Sequence, residues 1–229
     1  MPARRSRSSQ TTDSESTREK LLEAARDVFA EGGYHTATVR DICARAGANI
    51  ALINYHFGDK LGLYTEVLRG SIRFKHLDTI RDALEQKGRP EQVLRGVIQA
   101  RVRGIASGDV ADQQLRILIH ELAQPTPAMT RVVHEIGKPI YGRMLELIGR
   151  MIGLPPDHEK TRLCTHSVMG QILLYVLARP FLERLWPELK MTPEQLDRIA
   201  DHICEFTFAY LHQIARKEKS AGKRGAHAK

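Results

Sequence analysis

The stretch Thr38–Lys60, TVRDICARAGANIALINYHFGDK, constrains this chain more than any other part of it. Thr38 followed by Asp41 has the spacing of a capping box, in which side chains satisfy the amides that a helix start leaves without partners. Val39, Ile42 and Ala46 then point to one side, and Cys43, next to Ile42, reads as a small buried hydrophobe. Ala46-Gly47-Ala48 supplies a tight turn, with Gly47 at the position that needs a left-handed backbone. Asn49 can cap a second short helix on which Ile50, Ile53 and Phe57 share a stripe, while Asn54, Tyr55 and His56 fall partly or wholly off it. Asp59 can cap a third helix with Lys60 in its first turn. A cation there opposes the helix dipole unless an anion is close, and a DNA phosphate would be that anion. Two short helices about a tight turn, the second turning polar and aromatic groups outward, make a helix-turn-helix.

The rest of the chain reads as helix after helix, so the expected fold is all-α. Ala, Leu, Arg, Glu and Ile dominate most segments, and the hydrophobic content of 42% can fill a core. Ser16-Thr17-Arg18-Glu19 has capping-box spacing and predicts a helix start, with Leu21, Leu22, Ala25, Val28 and Phe29 on its inner face and Gly32-Gly33 as its stop. Apolar residues from Leu61 to Leu84 predict a long helix out of the helix-turn-helix, ended by Gly88-Arg89-Pro90. Further helices follow Pro90, span Val110 to Ala123 and 128–152, and start near Asp157 and after Thr192-Pro193. Gly104 to Gly108 loosens the end of the first of these. Pro139 predicts a kink near Gly137-Lys138, and Pro180 a bend before Phe181.

The formal net charge of +8 suggests a nucleic-acid partner until its location is considered. Residues 1–12 carry +3 and residues 216–229 carry +5, so the body balances to zero. The charge therefore describes two basic ends, both expected to be disordered, rather than the folded surface. Three cysteines, Cys43, Cys164 and Cys204, form no metal-spaced or disulfide-spaced set and fit a reducing cytoplasm. The N-terminal segment has no apolar core of a signal peptide, and no segment approaches a membrane span, so a cytoplasmic protein without a membrane partner is expected.

The capping helix, T-V-R-D-I, A-G, a short helix closing on aromatic-His-Phe, and a lysine three positions beyond that Phe together resemble the DNA-binding domain of the TetR family of one-component regulators. The segment His120-Glu121-Leu122-Ala123-Gln124-Pro125-Thr126-Pro127 and its surroundings resemble the C-terminal domain of the CecR-type branch. This resemblance implies a basic arm over 1–15, a DNA-binding domain over 16–62, a ligand-binding and dimerisation domain over 63–216, and a basic tail over 217–229. It further implies a homodimer whose reading helices, about 49–57, enter successive major grooves of a palindromic operator on double-stranded DNA. Carried onto this sequence, Thr38, Tyr55, His56 and Lys60 would hold phosphates, and Arg40, Ile50, Ala51 and Asn54 would lie near base edges, with Asn49 at the helix start. Arg suits guanine, Asn suits adenine, and Ile or Ala can pack on a thymine methyl. Asn54 stands where the family usually has Tyr, and Ile50-Ala51-Leu52 is unusually apolar for reading positions.

Polar groups in otherwise apolar helices mark a candidate cavity for a small-molecule effector: His120, Glu121, Gln124, His134 and Tyr141, with His166 and Gln171 further on. The last two long helices are apolar on more than one side. The resemblance makes them a four-helix dimer interface through Met169, Ile172, Leu173 and Val176, then Phe181, Ile203, Phe206 and Tyr210; the alternative is an intramolecular core. The expected function is a homodimeric repressor released from its operator by a ligand. An architectural DNA binder without ligand control is the alternative, and a helical metal-dependent hydrolase built on His120-Glu121 the distant one. The zinc-protease pattern needs a second His where Gln124 stands, so no metal, no cofactor and no enzyme activity are expected.

Overall fold

Helix starts and stops in this protein are set by side chains close in sequence, and these local signals carry into its computed structural model. The structure describes residues 7–72, 81, 83–85, 88–106 and 112–226; every regular element among them is helical. Among the described residues no helix is long and apolar enough to cross a membrane. The chain divides into two compact units, one of residues 1–73 with 110–134, the other of 74–109 with 135–229. This grouping cuts across a boundary at 62/63.

The first unit contains α1 (Arg7–Thr36), α2 (Val39–Ala46), α3 (Ile50–Phe57), α4 (Lys60–Ile72), α6 (Asp112–Ala123) and α7 (Pro127–Val132), with α5 (Pro90–Ala106) belonging to the other unit. Leu21, Ala25 and Phe29 of α1, Ile42 of α2, Ile53 of α3, Leu63 and Leu68 of α4, Ile117 of α6 and Ala128 and Val132 of α7 are among its fully buried apolar side chains. Helix α6 packs along α1, and α7 along α4. Two segments distant in sequence thus complete one core around the helix-turn-helix. Helix α1 starts at Arg7 and not at Ser16, because the Ser-x-x-Glu spacing also suits an i, i+3 pair inside a helix. Its regular backbone breaks at Gly33, where φ is 69°.

The second unit contains α5, α8 (Lys138–Ile152), α9 (Glu159–Leu177), α10 (Arg179–Leu185) and α11 (Pro193–Ala226). Leu94, Ile98 and Val102 of α5 meet Leu196, Ala200 and Cys204 of α11 in a core that also takes Ile148, Ile152 and Val168. Arg103 and Arg95 of α5 reach Asp197 and Asp201 of α11 at 2.8 and 3.4 Å along the rim of that packing. Exposed pairs of this kind contribute little, about 0–1 kcal/mol each, so apolar burial holds the two helices together.

Prolines act where the sequence places them. The backbone widens to a π-helical turn over Val133–Gly137, just before Pro139 in the first turn of α8. Pro180 opens α10 after Ala178 leaves helical geometry. Helix α9 starts close to the expected Asp157 and is capped by His158, whose Nδ1 accepts from the Lys160 amide at 3.1 Å. Helix α11 continues to Ala226, through most of the tail expected to be disordered. The tail has no Pro, its first Gly is Gly222, and Lys160 Nζ donates to Glu218 at 2.7 Å, which anchors that end. The long helix expected over 61–85 is described only as α4 and residues 83–85. Its middle, the segment 107–111, and the extreme ends 1–6 and 227–229 lie outside the described residues.

Candidate nucleic-acid interface

Three helix N-termini, each capped as the residue spacing predicts, set out the interface. Thr38 Oγ1 accepts from the Asp41 amide at 3.1 Å and donates to the Asp41 carboxylate at 2.6 Å, which fixes the first turn of α2. Asn49 Oδ1 accepts from the Leu52 amide at 3.1 Å at the start of α3, and Asp59 Oδ1 from the Gly62 amide at 2.7 Å at the start of α4. Gly47 adopts φ 62° and ψ 34°, the left-handed turn between α2 and α3. The turn into α4 is tighter still. A side chain at Gly62 would place its Cβ 1.9 Å from the Phe57 carbonyl oxygen, so only glycine lets α4 begin this close beneath α3.

Helix α3 buries Ile53 alone. Ala51 and Asn54 are exposed, Ile50 is 45% exposed, and Tyr55 is 78% exposed. Ile50 therefore leaves the Ile53–Phe57 stripe, while Ile53 is enclosed where α3 packs on α2 and α4. An aromatic side chain this open does not serve the core, and Tyr55 lies edge-on to the half-buried His56 ring at 4.9 Å between centroids. Thr38, Arg40 and Asn49 are also exposed. The nine residues expected to touch DNA thus sit on α2 and α3, their N-caps Thr38 and Asn49, and the first residue of α4, within one helix-turn-helix.

The electrostatics are sparse. Arg45 of α2 is gripped by both Glu31 carboxylate oxygens at 2.8 and 3.2 Å, with Asp27 at 3.7 Å. That pairing holds the Glu31 carboxyl below its ordinary range and raises the Arg45 guanidinium above its own. Arg40 and Lys60 remain as the cations of the interface. Lys60 is half-buried, and burial lowers its pKa. Its ammonium lies 4.5 Å from the centre of the Tyr34 ring, a cation–π contact that offsets part of the unfavourable helix-dipole position. Arg18 of α1 stacks over the half-buried Phe57 ring at 5.3 Å and pairs with Glu66 of α4 at 3.3 Å, tying the end of α3 to both neighbours. Sequence reasoning missed Tyr34 and Arg18. Their partners lie 26 and 39 residues away, although an aromatic directly after Gly32-Gly33 was a visible signal.

The residues expected to line an effector cavity fall into different units. His120, Glu121, Gln124 and His134 belong to the first, and Tyr141, His166 and Gln171 to the second. Glu121 is wholly buried and bonded on all sides. It accepts from Tyr64 Oη at 2.7 Å and from the Thr126 amide and hydroxyl at 2.7 and 3.0 Å, fastening the α6–α7 junction to α4. His120 packs on Gly33. Glu121 is thus taken up inside the first unit, and His120 is half-buried against α1. Gln124 and His134 are exposed. In the second unit Tyr141 Oη meets His166 Nε2 at 2.8 Å with the rings stacked, and Gln171 donates to Ser167 O at 3.3 Å and Thr207 Oγ1 at 3.5 Å.

The apolar faces of the last helices separate cleanly. Ile172 and Ile203, grouped from sequence with the interface, lie in the core of their own unit, because each helix is apolar on two sides and these residues occupy the inner one. Val176 is half-buried. Met169, Leu173, Phe181, Phe206 and Tyr210 are all more than 40% exposed, and so are Leu163, Leu174, Leu185 and Trp186, which sequence reasoning did not single out.

Comparison with known proteins agrees with this geometry. Residues 21–67 match the family model of bacterial regulatory proteins of the tetR family, and residues 90–211 that of the C-terminal domain of the HTH-type transcriptional dual regulator CecR. The chain is 27% identical over 178 residues to the HTH-type transcriptional dual regulator CecR of Shigella flexneri, covering 74% of this chain and 79% of that protein. It is 37% identical over 87 residues to the HTH-type transcriptional activator FasR of Mycolicibacterium smegmatis, a match to only 37% of that protein and 36% of this one. The fold is similar to that of a putative transcriptional regulator from Pseudomonas aeruginosa PAO1, at a TM-score of 0.62 and 21% identity over 86% of this chain and 92% of that one. It is similar also to the regulator FadR of Bacillus subtilis solved in complex with stearoyl-CoA, at a TM-score of 0.59 and 18% identity over 83% of this chain and 97% of that one. The curated relatives are transcriptional regulators, not enzymes.

Proposed function

Because this chain belongs to the TetR family of transcriptional regulators, in the branch with a CecR-type C-terminal domain, we propose that this DNA-binding regulator is a homodimeric repressor that leaves a palindromic operator when a small-molecule ligand binds. The observation that carries the reading is α3, which keeps a single side chain, Ile53, for the core and turns Ile50, Ala51, Asn54 and Tyr55 outward between capped helix ends. Thr38, Tyr55, His56 and Lys60 hold phosphates, and Arg40, Ile50, Ala51 and Asn54, with Asn49 at the helix start, face base edges. The exposed apolar face of Met169, Leu173, Phe206 and Tyr210 supports a second copy as partner, since a soluble protein rarely leaves such a face bare. The ligand reading is supported by the Bacillus subtilis relative, whose fold holds stearoyl-CoA. A ligand whose preferred conformation spaces the reading helices wrongly weakens DNA binding, and DNA weakens ligand binding equally. A coupling of about 2–3 kcal/mol changes occupancy roughly 30–150-fold. A protein that works this way acts in the cytoplasm.

Footprinting on the DNA flanking its own gene, with and without candidate ligands, tests the reading. A protected palindrome that opens on ligand addition is expected; equal binding to random duplex would identify an architectural binder instead. Lys60→Ala should weaken all sequences alike and flatten the salt dependence by about 0.9 of a unit in slope for each lost phosphate contact, whereas Asn54→Ala should change sequence preference. Phe206→Glu should yield monomers in sedimentation analysis.

A further inference from the structure

We propose that Tyr34 is a positioning residue for DNA binding: its ring, braced by Tyr64, holds the Lys60 ammonium in place before DNA arrives. The inference rests on the reading of Lys60 as a phosphate contact and goes one step beneath it. The Tyr34 ring centre lies 4.5 Å from Lys60 Nζ and 5.0 Å from the centre of the Tyr64 ring, which is tilted against it. Tyr64 is 1% exposed, and its hydroxyl donates to the wholly buried Glu121 carboxylate at 2.7 Å. Phe29 meets Tyr64 edge-on at 4.7 Å and lies 6.4 Å from Tyr34, so the platform is backed by two aromatic rings from α1 and α4. Tyr34 itself is half-buried, with the lysine ammonium over its ring.

Such a platform has a physical use. A lysine on the surface samples many rotamers, and fixing it on a phosphate costs about 0.5–1.5 kcal/mol of side-chain ordering. A lysine already resting on an aromatic face has lost much of that freedom in the unbound protein. Burial, which lowers the Lys60 pKa, also strips part of its hydration shell in advance. The interface has few cations, so placing one of them beforehand has a measurable effect on affinity.

The test is a double-mutant cycle on operator DNA at fixed salt, using the full chain. Tyr34→Leu should weaken binding roughly two- to tenfold per protomer, the equivalent of the ordering cost that returns. The slope of affinity against salt should stay unchanged, because Lys60 still neutralises its phosphate once bound. In a Lys60→Ala background the same Tyr34→Leu change should have no effect. Tyr34→Phe, which keeps the ring face, should bind as the parent does. A neutral Tyr34→Leu, or a loss equally large with and without Lys60, overturns the proposal and leaves Tyr34 a packing residue. Lys60→Ala without effect on affinity or salt slope would instead remove the phosphate assignment itself, a separate outcome. If Tyr34→Leu unfolds at the assay temperature, Tyr34→Met, of closer reach, takes its place in the same cycle.

Discussion

Replacing Glu121 by Ala should unfold the DNA-binding unit before any loss of a surface charge would. The Glu121 carboxylate is 0% exposed and accepts three hydrogen bonds, from Tyr64 Oη and from the amide and hydroxyl of Thr126. Thr126 also caps α7 through the Ala128 amide, so one carboxylate anchors α4, the end of α6 and the start of α7. Truncation leaves the Tyr64 hydroxyl and the Thr126 N–H buried without acceptors, at about 1–3 kcal/mol each. The lost methylene packing adds about 1 kcal/mol, and relief from burying an ion offsets part of the total. The expected net loss is about 3–5 kcal/mol, or a fall of about 6–20 °C in Tm. Trp186 lies in the second unit and does not report on this one, so hydrogen exchange of peptides from α4, alongside far-UV circular dichroism in urea, is the suitable assay. The diagnostic is non-additivity. Tyr64→Phe removes the hydroxyl that Glu121→Ala orphans, so the double variant should be about 1–2 kcal/mol more stable than the sum of the single losses implies. A Glu121→Ala protein within about 1 kcal/mol of the parent, or strict additivity with Tyr64→Phe, would refute the reasoning.

Three shorter predictions follow from the same structure. Gly62→Ala should cost about 3 kcal/mol or more and abolish operator binding, because the added Cβ meets the Phe57 carbonyl and must push α3 off α4; thermal melts and a gel-shift assay read both effects. The three thiols should resist a disulfide reagent at pH 8 in the native protein and react together on unfolding, since all three are buried, with burial raising the Cys43 and Cys164 pKa values and pushing Cys204 up to about 11. Burial and the Glu121 bond raise the Tyr64 phenol far above its ordinary value of 10.0. The unfolded chain releases that proton near pH 10 while the folded one keeps it, so the contribution is complete below pH 10 and falls as pH rises beyond it. Urea titrations above pH 10 should show Tyr64→Phe losing less stability than the parent, by up to about 1.4 kcal/mol per pH unit.

What could be read in the sequence was decided within a few residues. Thr38, Asn49 and Asp59 cap because a side-chain oxygen three positions back reaches an amide whatever the distant chain does, and Gly47 turns because its own backbone allows it. Periodicity likewise located the inner face of α1. It failed where one local pattern has two meanings: Ser16-x-x-Glu19 is a helix start or an i, i+3 pair, and a helix apolar on two sides does not say whether Ile172 or Leu173 faces the core. It failed again where partners are distant. Glu121 and Tyr64 lie 57 residues apart, and nothing near His120-Glu121 indicated that the carboxylate closes onto the DNA-binding unit rather than onto a ligand.

The pairing of Arg45 with Glu31 alters how the interface must work. The formal charge between Gly33 and Lys60 is only +1, and one of its cations is already neutralised inside the protein. Arg40 and Lys60 are then the charged donors that one helix-turn-helix brings, beside the neutral groups of Thr38, Tyr55 and Asn54. Non-specific affinity scales with the number of phosphates neutralised, so a single unit of this kind holds random DNA weakly. In the proposed dimer, affinity comes from doubling a short set of placed donors at the right separation. Sparse charge and sensitivity to spacing belong together: a helix pair held by geometry is released by a small change in geometry, whereas one held by bulk charge would stay bound through it.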